Sequence, residues 1–149
     1  MTITLSFSTD GIDWFELEAL YRAAPLGNKS AESLKTVFTN SRYCCFALER
    51  GKLIGVGRAL ADGADCSYIC DVAVLPSHQG TGVGKEIVAK LVALSQGHRK
   101  IILYSVPGKE GFYSRFGFQK MLTAMAIFEN QQQALAQGYL AESEPGKAG

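Results

Sequence analysis

Over residues 66–104 the chain runs through an apolar strand, a glycine-rich loop, an amphipathic helix and a second apolar strand. This order is a crossover unit. It dictates two parallel neighbouring strands in one sheet, because only a connection of this length returns a strand to a parallel partner. Val72-Ala73-Val74-Leu75 is almost wholly apolar, as a strand covered on both faces requires. Pro76 ends it. From residue 83 to 95, Ile87, Val88, Leu91, Val92 and Leu94 mark the apolar side of a helix that Gly97 and His98 close. Ile101-Ile102-Leu103-Tyr104 is the next strand.

The flanking pattern is one of hairpins and short helices. Ile3, Leu5 and Phe7 alternate with polar residues as in a half-buried strand, broken by Asp10-Gly11. Asp13 reads as an N-cap, followed by Trp14, Leu17, Leu20 and Tyr21 at helical spacing up to Ala24. Pro25-Leu26-Gly27-Asn28 stops that helix, and Ser30 caps another carrying Leu34, Val37 and Phe38. Residues 43–48 and 53–61 are strands joined by the turn Glu49-Arg50-Gly51-Lys52. Beyond the crossover, the pattern predicts a short helix over 109–116, a terminal strand over 121–128 and a surface helix from the Gln131-Gln132-Gln133 run to Tyr139. With 149 residues, 47% of them hydrophobic, the chain suits one compact domain over 1–140, with 141–149 as a flexible tail.

Nearly balanced charge, a net of +1, gives no electrostatic reason to expect nucleic acid or an acidic membrane as partner. No apolar run approaches the roughly 20 residues of a membrane span, and the first ten residues lack the pattern of a signal peptide. A cytoplasmic protein is the expectation. Cys44 and Cys45 are adjacent and Cys66 and Cys70 four apart, so neither pair has a zinc or redox spacing. Buried reduced thiols and no metal follow.

Gly80, Gly82 and Gly84 lie between the buried strand and the first turn of a helix. A helix start exposes unpaired N–H donors and the positive end of the dipole, so it can hold phosphate without a basic side chain. Glycine lets a diphosphate approach the backbone. A nucleotide P-loop is excluded, because the position before Gly84-Lys85 that needs glycine is Gln79 and Glu86 follows where Ser or Thr is needed. The dinucleotide fingerprint fails too, since its third small residue would be Lys85. A phosphate-bearing cofactor and a glycine turn without ligand both fit the loop taken alone.

The run Val72-Ala73-Val74-Leu75-Pro76-Ser77-His78-Gln79-Gly80-Thr81-Gly82-Val83-Gly84 resembles the cofactor motif of the GNAT acetyltransferase superfamily. Phe112-Tyr113-Ser114-Arg115-Phe116-Gly117-Phe118 is similar to that family's second element, Phe-Tyr, three residues, Gly-Phe. Gly55-Val56-Gly57-Arg58-Ala59, and Asp71-Val72 leading into the loop, look most like the plant and cyanobacterial arylalkylamine (serotonin-type) members. The chain departs from many relatives in having Val106-Pro107-Gly108 where they have an Asn that meets the pantetheine arm.

The resemblance implies an α+β fold of three layers, with a mixed, mostly antiparallel sheet, helices on both faces and a parallel strand pair that splays apart. It implies acetyl-coenzyme A as acyl donor, held by Val72, Ala73 and Val74, by Gln79, Gly80, Thr81, Gly82, Val83, Gly84 and Lys85, and by Phe112 and Tyr113. The acceptor is then a small-molecule amine, attacking the thioester directly. A non-catalytic acyl-CoA-binding module and a protein-lysine or N-terminal acetyltransferase are the alternatives. Tyr113 matches the family's tyrosine near the sulfur and is the candidate general acid. Asp71, a charge in an apolar strand, is the candidate base or ammonium site, or a structural residue satisfied by backbone donors; Tyr68 is the second candidate. His78 and His98 read as surface residues. The acceptor pocket is expected around Trp14, Tyr21, Pro25, Leu26 and Asn28. The sheet's outer strands and the Gln-rich tail suit a homodimer.

Overall fold

The computed structural model describes residues 2–24 and 26–143, and the chain forms two compact units, Met1–Leu103 and Tyr104–Gly149. Pro25 and the end of the expected tail, residues 144–149, lie outside the described residues.

The first unit is built on a five-stranded sheet in the order β1-β2-β3-β4-β5. β1 (Ile3–Ser6), β2 (Tyr43–Glu49), β3 (Lys52–Ala61) and β4 (Cys66–Val74) form an antiparallel meander, and β5 (Lys100–Ile102) joins β4 in parallel. The β2–β3 turn places Arg50 and Gly51 at φ 52° and 76°, the left-handed pair of a tight hairpin. Helices α1 (Trp14–Ala23) and α2 (Ala31–Thr39) start where their caps require. Asp13 accepts the Phe15 and Glu16 amides at 3.0 and 3.2 Å, and Ser30 accepts the Ser33 amide at 3.1 Å.

These two helices cover one face of the sheet, where Leu17, Leu20, Tyr21, Leu34 and Phe38 pack with Phe46, Val56 and Ala73. Helix α3 (Val83–Leu94) covers the other face. It lies close because β3 presents glycines to it: a Cβ on Gly57 would stand 2.8 Å from Leu91 Cδ1 and 2.9 Å from Ile87 Cγ2. A buried hydrogen bond of 2.7 Å between the Ser67 and Ser95 hydroxyls ties β4 to the end of α3. Ser95 also donates to the Leu91 carbonyl, so both hydroxyls are satisfied. The mixed sheet with helices on two faces is the architecture the crossover motif requires.

The second unit contains α4 (Glu110–Ser114) and α5 (Gln131–Ala136). The expected strand over 121–128 does not form: no ladder pairs it among the described residues, and Leu122, Met125 and Ile127 are almost fully exposed. The alternation in that segment supplies strand propensity, but a strand exists only through its partner. Val106, Pro107 and Gly108 form a turn in which Lys109 N–H donates to the Val106 carbonyl at 3.0 Å. No helix among the described residues is long and apolar enough to cross a membrane.

Candidate active site

β4 is the element on which the site is built. Its parallel ladder with β5 pairs Cys66 with Lys100, Ser67 with Ile101 and Tyr68 with Ile102, and ends there. β4 continues to Val74, so no strand pairs with Ile69–Val74 on that side among the described residues. Backbone donors and acceptors along a strand edge that leads to a helix start are suited to an extended ligand carrying amides and a phosphate.

A bulge reshapes the same stretch. β3 advances from Val56 to Arg58 while β4 retreats from Ala73 to Cys70, so Asp71 and Val72 together oppose Gly57. Asp71, one of the two residues on the bulged side, takes the left-handed conformation, φ 56°. The buried Tyr21 hydroxyl donates to the Asp71 carbonyl at 2.6 Å and braces the bulge. Burial, and next the negative charge of Asp71, push the Tyr21 phenol well above its ordinary range, so it stays a donor.

The Asp71 side chain stands between two cations. Arg58 Nε donates to Oδ2 at 2.8 Å and Lys29 Nζ lies 3.4 Å from Oδ1. Arg58 is held further by the Phe38 ring, 5.9 Å away, and by a 3.2 Å bond to Ser41 Oγ. The environment of Asp71 is an ion-pair network, which none of the sequence readings included: both carboxylate oxygens face a cation. Sequence reasoning named neither partner. The available signal was Arg58 itself, a charge in an apolar strand antiparallel to the strand of Asp71.

The loop after β4 is a single 3-10 turn, Pro76–His78, and then the glycines. Gly80 and Gly82 have φ of 77° and 91°, and a Cβ on either would meet nothing within 4 Å. Glycine is needed there for the chain's path, and the space beside it is open. Gly82 is the N-cap of α3 and provides no side-chain acceptor, so no side chain caps the first turn of a twelve-residue helix. Gln79 Nε2 donates to the Val74 carbonyl at 3.1 Å, and Thr81 Oγ1 donates to the His78 carbonyl. Thr81 and Lys85 are exposed, while the side chains of Ala73 and Val83 are buried in the core, so these two could contribute only backbone groups.

Both histidines are more enclosed than the sequence implied. His78 Nε2 lies 3.0 Å from Glu49 Oε1, and its Nδ1 is 2.8 Å from Ser77 Oγ. His98 Nε2 accepts the Gly63 amide at 3.0 Å while Nδ1 faces the Ser95 carbonyl at 2.8 Å, which assigns the proton to Nδ1. Each joins a loop to a neighbouring element, which a residue-by-residue reading of loops does not show.

Tyr21 is buried in the α1–α2 core, and Trp14 and Leu26 are partly buried against it. The opening at this end is a groove of about 340 Å³ lined by Glu18, Arg22, Gly27, Asn28, Lys29 and Ser30. In the second unit Tyr113 lies half-buried among Phe112 and Phe118, with ring centroids 5.0 and 6.3 Å away. Burial raises its phenol above the ordinary value. All four cysteines are free thiols, and burial pushes Cys45 up to about 12 and Cys70 up to about 11. No cluster of His, Cys, Asp or Glu among the described residues could hold a metal.

The family model for the acetyltransferase (GNAT) family matches residues 12–118, a span that includes strands β2 to β5, the glycine loop and Phe112 to Phe118. The chain belongs to the GNAT acetyltransferase family. This GNAT chain is 28% identical over 135 residues to a chloroplastic serotonin N-acetyltransferase of Oryza sativa subsp. japonica, covering 85% of its own length and 68% of the relative's. Its fold is similar to that of a probable acetyltransferase of unknown function from meticillin-resistant Staphylococcus aureus, with a TM-score of 0.78 and 21% identity over 87% of this chain and 99% of that one. It is also similar to AAC(6')-Iy, solved with the bisubstrate analog CoA-S-monomethyl-acetylneamine, with a TM-score of 0.65 and 18% identity over 87% of this chain and 98% of that one. Each of these structures supports the fold.

Proposed function

We propose that this GNAT acetyltransferase transfers the acetyl group of acetyl-CoA to the primary amine of a small molecule, and that arylalkylamines are the acceptors to test first. One observation carries the donor side: β4 runs on past the end of its ladder at Tyr68, leaving a bulged strand edge that leads into the uncapped start of α3. The free edge would pair with the amides of the pantetheine arm. Gly80, Thr81, Gly82, Val83, Gly84 and Lys85 would receive the diphosphate on backbone N–H groups. The likeness to a serotonin N-acetyltransferase supports the acceptor class.

The thioester is already activated, so positioning the amine against it contributes much of the rate. The neutral amine attacks the carbonyl carbon, the C–N bond forms and the C–S bond breaks. An alkylammonium has a pKa near that of lysine, about 10.4, so a proton must leave before attack. Asp71 would attract and orient the ammonium, which releases that proton to water; Tyr113 would protonate the departing thiolate, and its phenolate would take back, through water, the second N–H proton that the nitrogen loses as the amide forms. A thiol-release assay with acetyl-CoA against arylalkylamines, polyamines, amino acids and peptide lysines tests this. Turnover with arylalkylamines is expected. Tight acetyl-CoA binding without thiol release would overturn it in favour of a non-catalytic binding module, and turnover with peptide lysines alone would move the acceptor to protein.

A further inference from the structure

Asp71 has one negative charge and two cationic neighbours that are held very differently. The Arg58 side chain is 13% exposed, hydrogen-bonded through Nε and fixed by Phe38 and Ser41. The Lys29 side chain is 29% exposed and approaches Oδ1 at 3.4 Å, an ion-pair distance longer than a good charge-assisted hydrogen bond. It reaches Asp71 from the loop between α1 and α2 and lines the groove at that end of the sheet. Its ammonium also lies 5.7 Å from the centroid of the Tyr21 ring, within range of a cation–π contact.

A lysine side chain is a primary alkylammonium. The place beside Oδ1 and the Tyr21 ring is therefore already filled by the functional group that the proposed acceptors carry. We infer that Lys29 is a built-in occupant of the acceptor amine's place at Asp71, and that a substrate ammonium binds by displacing it. The inference rests on the acetyltransfer reading given above. A third cation beside one carboxylate would meet two like charges, whereas exchanging one ammonium for another leaves the local charge unchanged. Lys29 is the cation that can leave, because its loop position and exposure let the ammonium swing into water. Arg58 cannot follow without leaving Phe38 and Ser41. Lys29 would thereby set a threshold for acceptors: an amine must contribute enough contact elsewhere to displace it, which selects against small or weakly held amines.

The test compares the full chain with Lys29→Met, which keeps most of the aliphatic stem, and Lys29→Arg, which keeps the cation. Titration calorimetry with 2-phenylethylammonium, at saturating coenzyme A, reads binding without any need for turnover. Losing a partly exposed ion pair should tighten binding in Lys29→Met by about threefold. Lys29→Arg should bind as the natural chain does. In the thiol-release assay Lys29→Met should lower the amine KM by the same factor with kcat unchanged. Equal or weaker binding by Lys29→Met, equal tightening by Lys29→Arg, or no binding to any of the three chains would overturn the inference. Absence of thiol release with the binding pattern intact would instead count against the acetyltransfer reading alone.

Discussion

Replacing Asp71 by Asn isolates the charge on which the bulge and its two cations depend. Asn is among the residues that best tolerate the left-handed conformation, so φ 56° is retained. The backbone carbonyl that accepts the Tyr21 hydroxyl is untouched. What is lost is a carboxylate facing Arg58 at 2.8 Å and Lys29 at 3.4 Å. Breaking an ion pair costs ~3–5 kcal/mol when fully buried and ~0.2–1 kcal/mol when exposed. Arg58 lies toward the buried limit and cannot reorient, so its share is about 2 kcal/mol, below the buried range because Asp71 retains some solvent. Lys29 can turn to water, and its share is ~0.5–1 kcal/mol. The expected total is ~2.5–3 kcal/mol. Trp14, the chain's single tryptophan, packs at 6.3 Å from Phe38 and reports on this unit by fluorescence. With a urea m-value of ~2 kcal/mol/M, the midpoint should fall by ~1.2–1.5 M. A double-mutant cycle with Arg58→Met and Lys29→Met should assign most of the coupling to Arg58. A midpoint unchanged by Asp71→Asn, or a larger coupling to Lys29 than to Arg58, would refute this account of the site.

Gly57→Ala places a Cβ against Leu91 and Ile87, and should cost ~1–3 kcal/mol by overpacking α3 on β3, read as a lower thermal midpoint. Tyr113→Phe should reduce kcat by about 10²-fold or more while acetyl-CoA binding, measured by calorimetry, is kept. A raised phenol keeps its proton as pH climbs past the ordinary value of 10.0, so the natural chain should lose Tyr113-dependent activity only above that pH, and the pH–rate profile of the Phe variant should lack that limb. Cys45, pushed up to about 12, and Cys70, pushed up to about 11, carry little thiolate at pH 8. Iodoacetamide should modify both at least ~10²-fold more slowly in the native chain than after unfolding in urea, as followed by peptide mass spectrometry.

Local chemistry was the legible part of the fold. Asp13 and Ser30 cap helices with bonds to residues two or three positions on, so the sequence window contains both partners. The Arg50-Gly51 turn and the crossover from β4 to β5 are likewise specified by nearby residues. The glycine loop was legible as the start of α3, although Gly80 and Gly82 are there for their positive φ and not to prevent a clash with the chain. Asp71 was legible as a charge needing explanation. Its explanation was not, because Arg58 is aligned with it only by the strand register and Lys29 only by the end of the α1–α2 loop. The bulge depends on a one-residue mismatch between two strands, which neither strand's own letters display. The same dependence on a partner undid the expected strand over 121–128, whose alternation is present but whose Met121, Leu122, Met125 and Ile127 stay exposed.

The central claim, that the free edge of β4 and the start of α3 receive coenzyme A, is tested most directly by amide hydrogen exchange with and without acetyl-CoA. Protection is expected over Ile69–Val74 and over residues 79–85, with the antiparallel β1–β2 ladder unchanged. Acetyl-CoA that binds and leaves both segments exchanging at their free rates would contradict it.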